Sequence, residues 1–277
     1  MPLVSPRFST ESELVKVEGG QLLLKNGSRG RHVHLVQMAL LDLGFAMPRS
    51  TTSQSFSPDG IYGSETTETV RALQRSAPPL ATDGIIGQHT MRELDRRMTR
   101  FTHRVGLHFR SIALTNVTFD QILSSTQAVY AQYGIRVDMM NGESLGLEPG
   151  DQTRLEQVDQ QCNWVLSTGE FNDLHSRGTA APATDVLVYF IRSFSPQLNG
   201  CGGHAAGRPA CTVAATGTQW TVAHEIGHVM LGQAFAPVHV NDTRNLMNTT
   251  TATITSMPTL TEKQLRQVRA SIVCRAA

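Results

Sequence analysis

The apolar positions of this chain follow one rhythm in the first hundred or so residues and another in the rest. Over residues 29–43, Val33, Val36, Gln37, Leu40, Leu41 and Leu43 fall at helical spacing and the run stops at Gly44, which predicts a helix closed by glycine. Asp59-Gly-Ile-Tyr-Gly63-Ser-Glu-Thr66 then returns 24 residues later as Asp83-Gly-Ile-Ile-Gly87-Gln-His-Thr90. Both stretches read D-G-I-x-G-x-x-T, with an apolar residue, Val70 or Leu94, one turn past the threonine. Asp-Gly makes a tight turn, the second glycine permits a left-handed or close backbone approach, and the threonine falls in the first turn of a helix. Two such units plus the first helix make a small three-helix domain over residues 21–98. Residues 1–20, broken by Pro2, Pro6, Gly19 and Gly20, form a loose lead-in, and residues 50–58 a polar loop.

From residue 104 onward strand and helix patterns alternate. Residues 104–114 predict a first strand. Thr118 caps a helix with an apolar face of Phe119, Ile122, Leu123, Val129, Tyr130 and Tyr133, ending at Gly134. Residues 135–140 form a second strand, 141–160 a loop with some helix, and 162–174 stay open between helix and irregular structure. The unbroken apolar run over 184–192 reads as a buried central strand. A glycine-rich flexible loop over 199–209 leads to a short edge strand at 211–215. An apolar helix follows around Thr221, and a last helix over 261–273 opens on a capping box of Thr261 and Gln264. The fold class is α+β: a three-helix domain, then a mixed-sheet domain over residues 104–277.

Composition narrows the function. With 24 basic and 23 acidic side chains, nothing in the charge balance calls for nucleic acid or an anionic membrane surface. No apolar run approaches the ~20 residues of a membrane span, and no basic segment followed by an apolar one marks a conventional secretory signal. The four cysteines, Cys162, Cys201, Cys211 and Cys274, suggest Cys201–Cys211 and Cys162–Cys274 disulfides, with four free buried thiols as the alternative.

The chemistry concentrates in Thr221-Val-Ala-His224-Glu225-Ile-Gly-His228. Residues four apart share one helix face, so His224 and His228 can direct two imidazoles at one point while Glu225 lies beside it. This H-E-x-x-H spacing suits Zn²⁺ held by two histidines, with the carboxylate left free as a base. His239 is the candidate third ligand. Asp242 either accepts the second ring proton of His239 or replaces it, and Glu262 is a further alternative. His32 and His34 read as surface residues, as does His204. No G-x-S-x-G nucleophile motif competes.

Two resemblances add to these readings. Leu35-Val-Gln37-x-x-Leu40-x-x-Leu43-Gly44-Phe45, the two D-G-I-x-G-x-x-T units and Val70-x-x-Leu73-Gln74 resemble the peptidoglycan-binding-like family of small helical domains. That resemblance implies a wall-binding module over residues 21–98, or else a spacer. The order of elements over residues 104–273, with His224-Glu225-x-x-His228 and Met247, resembles metzincin-type zinc proteases. The family places a glycine three residues past its second histidine, then a third histidine, then a Met-turn. Here Gly232 comes four residues past His228, and His239 follows later than in the family. The implied function is a zinc endopeptidase with Glu225 as general base, acting on protein or peptide and brought to a bacterial cell wall by residues 21–98. A non-catalytic wall-binding protein with structural zinc, a peptidoglycan cross-link endopeptidase and an exported toxin-like effector stand as alternatives. The expected location is secreted, periplasmic or wall-associated, by a route that uses no conventional signal peptide.

Overall fold

A computed structural model describes residues 2–51, 58–99 and 101–277; most of the loop expected over 50–58 lies outside the described residues. The chain divides into two compact units. The first holds residues up to 102 with 131–134 and 261–265, and the second holds the remainder.

In the first unit the helices are α1 (Ser12–Glu18), α2 (Arg31–Asp42), α3 (Ser64–Arg75) and α4 (Gln88–Arg97). Residues 21–98 hold the three expected helices, α2 to α4; α1 lies in the stretch expected to be a loose lead-in, which is instead helical and packed. Leu3, Phe8, Leu14 and Val17 join Val33, Val36, Val70, Leu73 and Leu94 in one core. Fully burying each such side chain contributes roughly 1.5–3 kcal/mol. The carboxylate of Asp95 accepts hydrogen bonds from the amides of Val4 at 2.9 Å and Ser5 at 2.8 Å, which ties down the start of the chain. Pro and Gly punctuation hid this segment, because short elements packed by tertiary contact carry little periodicity.

The sequence echo is one hydrogen-bond device used twice. The buried amide of Gln37 donates to Asp59 Oδ1 (3.0 Å), the Ile61 carbonyl (3.0 Å) and Thr66 Oγ1 (3.1 Å), and its oxygen accepts from the Gly60 amide (2.9 Å). Gln74 does the same with Asp83, Ile85, Thr90 and Gly84, at 2.9, 3.0, 3.1 and 2.9 Å. The left-handed residues are Gly60 (φ +68°) and Gly84 (φ +75°). Gly63 and Gly87 are extended N-caps, with φ of −93° and −101°, so of the two alternatives for the second glycine the left-handed one does not hold.

In the second unit, β1 (His103–Ser111), β2 (Ile135–Ser144), β4 (Val186–Ile191) and β7 (Ala210–Ala214) run parallel in the order β2-β1-β4-β7. Strand β6 (Gly200–Cys201) lies antiparallel on the β7 edge, and β8 (Arg275–Ala276) pairs with β1. The sheet is mixed, as expected, and β4 is buried along its whole length at its centre. A second small sheet joins β3 (Gln157–Val158) to β5 (Ser193–Phe194). Helices α5 (Phe119–Ala131), α6 (Pro149–Glu156), α7 (Gly169–His175), α8 (Thr221–Leu231) and α9 (Glu262–Ala270) complete the element order, with Ala131 and residues 262–265 counted in the first unit. The capping box of α9 forms: the Gln264 amide donates to Thr261 Oγ1 and the Thr261 amide to Gln264 Oε1. No helix among the described residues is long and apolar enough to cross a membrane.

Two expectations are corrected here. The edge strand is β6, inside the stretch read as a flexible loop, while β7 is interior. The disulfide joins Cys162 to Cys201, and Cys211 and Cys274 are free and buried. Register explains why Cys201 does not meet Cys211. Cys201 lies opposite Thr212, so Cys211, one residue away, points to the other face of the sheet.

Candidate metal centre

Helix α8 is buried from Thr221 to Leu231 and ends at Gly232, whose φ of +73° suits a residue without Cβ. Tyr130 on α5 donates to the Ala223 carbonyl at 2.8 Å, and the Trp220 indole donates to the Ile254 carbonyl at 3.1 Å, so the helix is anchored at its N-terminal half. Gly227 leaves room beneath: a Cβ there would lie 2.7 Å from Met247 Sδ. Met247 is fully buried under the helix.

On one face of α8 the imidazoles of His224 and His228 converge, and His239, from the loop beyond Gly232, joins them. The three Nε2 atoms are 3.0 Å (His224–His228), 3.0 Å (His228–His239) and 3.3 Å (His224–His239) apart. The Met247 turn orients the His224 ring and holds the backbone beside His239. His224 Nδ1 donates to the Leu246 carbonyl at 2.7 Å, and the amide of Val240, next to His239, donates to the Met247 carbonyl at 2.9 Å. Because a carbonyl only accepts, His224 Nδ1 carries its proton and Nε2 presents a lone pair. Burial pushes the His224 pKa down to about 4, and burial with its two histidine neighbours pushes His228 down to about 2. Burial lowers His239 as well. The rings are therefore neutral at pH 7, which is the ligating form.

The donor set fits a zinc ion. Imidazole nitrogens ~2.0–2.1 Å from a tetrahedral ion lie about 3.3 Å from one another, close to the spacing here. Among the described residues the cluster consists of these three histidines. It includes neither Asp242, whose carboxylate is engaged by the amide and guanidinium of Arg244 at 2.9–3.2 Å, nor Glu262.

Glu225 is 5% exposed, and burial pushes its pKa up to about 8. A nearby divalent cation acts in the opposite direction and favours the carboxylate. The glycine-rich stretch lies against this face of the helix. A Cβ on Gly200 would sit 2.3 Å from Glu225 Oε1, and one on Gly202 would sit 2.4 Å from His228 Cβ. The Cys162–Cys201 disulfide fastens this wall to the segment bearing Trp164, whose ring packs edge-on against His228 at 5.6 Å. Together they line a cleft of about 700 Å³ that contains all three histidines and Glu225. Sequence reasoning missed Gly200, Gly202 and Trp164; the signal available was Asn199-Gly-Cys-Gly-Gly itself, since clustered glycines mark close backbone approach. His204 is half-buried, with Nδ1 2.9 Å from the Ala205 carbonyl oxygen. His32 and His34 lie on α2 in the other unit.

Comparison with known proteins gives a family match, two relatives and two solved structures. Residues 29–94 match the family described as a putative peptidoglycan binding domain. The N-acetylmuramoyl-L-alanine amidase CwlL of Bacillus licheniformis is 36% identical over 91 residues, which are 33% of this chain and 23% of that protein. A probable N-acetylmuramoyl-L-alanine amidase of the same organism is 37% identical over 73 residues, 26% of this chain and 19% of its own length. The chain thus spans less than a quarter of either relative. Among solved structures, metalloproteinase-II of Bacteroides fragilis superposes with a TM-score of 0.43 at 13% identity, covering 62% of this chain and 54% of that one. Archaemetzincin of Methanopyrus kandleri gives 0.40 at 11%, covering 60% and 94%.

Proposed function

We propose that residues 104–277 form a zinc-dependent endopeptidase and that residues 21–98 hold it at peptidoglycan. The observation that carries the enzymatic half is three neutral imidazole nitrogens meeting within 3.3 Å of one another beside a carboxylate that is not among them. His224, His228 and His239 would hold the ion, which when bound would supply Lewis-acid activation of water and of the scissile carbonyl. Glu225 accepts the proton of the attacking water and returns it to the leaving amine. Burial of Glu225 suits this exchange, since a carboxylate with a raised proton affinity is a stronger base. A purely structural zinc would call for a fourth protein ligand, and the cluster has three among the described residues.

The family match over residues 29–94 supports wall attachment. The Cys162–Cys201 disulfide supports action in an oxidising compartment, outside the cytoplasm. Whether that destination is the producer's own wall or, as for an effector, another cell's, the reaction is the same.

The test compares metal content and turnover in wild type, Glu225→Gln and His239→Ala. The expected result is one zinc per chain in wild type and Glu225→Gln, loss of zinc in His239→Ala, and a fall in casein hydrolysis of about 10²–10⁴-fold in Glu225→Gln. A fully active Glu225→Gln protein refutes the role of the carboxylate. Sedimentation of the full chain with insoluble peptidoglycan tests the first unit; a chain that stays in the supernatant refutes attachment.

A further inference from the structure

The cleft before the three histidines is lined with little charge. Glu225 is the one formally charged side chain in its lining among the described residues; no Lys, Arg or Asp side chain contributes. Its walls are the apolar surfaces of Trp164, Leu198 and Val238 and the amides and hydroxyls of Gln197, Asn199 and Thr250.

We propose that the cleft selects polypeptide segments with uncharged side chains on both sides of the scissile bond. The inference rests on the peptidase reading above and names its substrate class. Away from Glu225 and the three histidines, a side chain carrying a carboxylate or ammonium leaves water for walls that offer it no opposite charge. The cost of leaving a charged group without its partners exceeds that of leaving a neutral polar group unpaired. An aliphatic or aromatic side chain loses nothing of this kind and gains contact with Trp164, Leu198 and Val238. With a divalent cation set against one carboxylate, the centre is net positive, so basic flanks are disfavoured more than acidic ones. Peptidoglycan cross-links carry free carboxylates close to the bond to be cut. The cleft therefore favours protein over the wall polymer that the first unit is proposed to grip.

The test uses the zinc-loaded full chain and internally quenched peptides identical except at the residues flanking the cut. One set carries Ala, Leu, Phe or Asn there, a second Asp or Glu, a third Lys or Arg. The expected kcat/KM falls at least about tenfold from the neutral to the acidic set and further to the basic set. Binding of the same peptides to zinc-loaded Glu225→Gln, followed by calorimetry, falls in the same order. Gln197→Lys, at an exposed position on the cleft wall, raises kcat/KM severalfold for the acidic set alone. Equal rates and equal affinities across the sets overturn the proposal and leave the peptidase standing. Faster solubilisation of purified sacculi than cleavage of neutral peptides also overturns it. Failure of the loaded protein to cut any peptide, or casein, overturns the peptidase reading itself.

Discussion

Gly200→Ala separates the position of the base from the binding of the metal. Gly200 lies in β6, paired with Val213 of β7, with its backbone against Glu225. An added Cβ would fall 2.3 Å from Oε1 and 2.6 Å from Cδ and Cγ, where ordinary contact starts at 3.4 Å. The paired strand yields less readily than a side-chain end, so the carboxylate withdraws by about 1 Å. Because that end can swing, the folding cost stays near the lower limit of the ~1–3 kcal/mol typical of overpacking. A catalytic group misplaced by 1 Å loses on the order of 10²-fold in rate. The expected variant thus keeps its zinc, melts within a few degrees of wild type, and loses about 10²-fold in kcat with KM little changed. Metal analysis, a thermal melt and peptide hydrolysis measure the three. Gly202→Ala provides the contrast: its Cβ would meet His228 Cβ at 2.4 Å and the Glu225 carbonyl at 2.8 Å, atoms near the backbone that cannot swing aside. That variant is expected to lose stability and zinc together. Wild-type turnover in Gly200→Ala, or equal zinc loss in both variants, refutes the reasoning.

Other consequences can be checked alongside. Removing the Cys162–Cys201 link, which spans 39 residues, by double substitution to serine is expected to destabilise the second unit by roughly 3–4 kcal/mol, read by denaturant titration; an unchanged midpoint contradicts it. Gln74→Ala strands the Asp83-Gly84 turn and is expected to cost the first unit about 2–4 kcal/mol while leaving zinc content untouched, since its bonds to Thr90 and the Gly84 amide are buried and those to Asp83 and the Ile85 carbonyl part-buried. His175 on α7, with Nε2 2.9 Å from Thr212 Oγ1, is held by burial at a pKa of about 3. Its folded pKa lies below the unfolded value, so the neutral ring's contribution is present above pH ~6.5 and is lost as pH falls towards 3. His175→Gln is accordingly expected to flatten the loss of stability over that window, as measured by melts at stepped pH; parallel curves would refute the assignment.

Several features were legible in the chain because they depend on geometry within a few residues. An α-helix places His224 and His228 on one face whatever surrounds it, and the D-G-I-x-G-x-x-T echo declared two identical turns. The run over β4 announced its central place because only a strand covered on both faces tolerates unbroken apolar character. The charge balance and the absence of a long apolar run depend on composition alone.

The rest was decided by contacts between residues far apart. Nothing local says that His239 returns to the two helical histidines; the hydrogen bond from Val240 to the Met247 carbonyl, across a turn, brings it there. That Cys201 does not pair with Cys211 follows from strand register, which turns Cys211 to the opposite face. The lead-in packs because Phe8, Leu14 and Val17 find a core made by later helices. The glycine wall over Glu225 has the same origin: a residue's lack of a side chain is written in the sequence, but what needs the space is known only once the chain has closed around it.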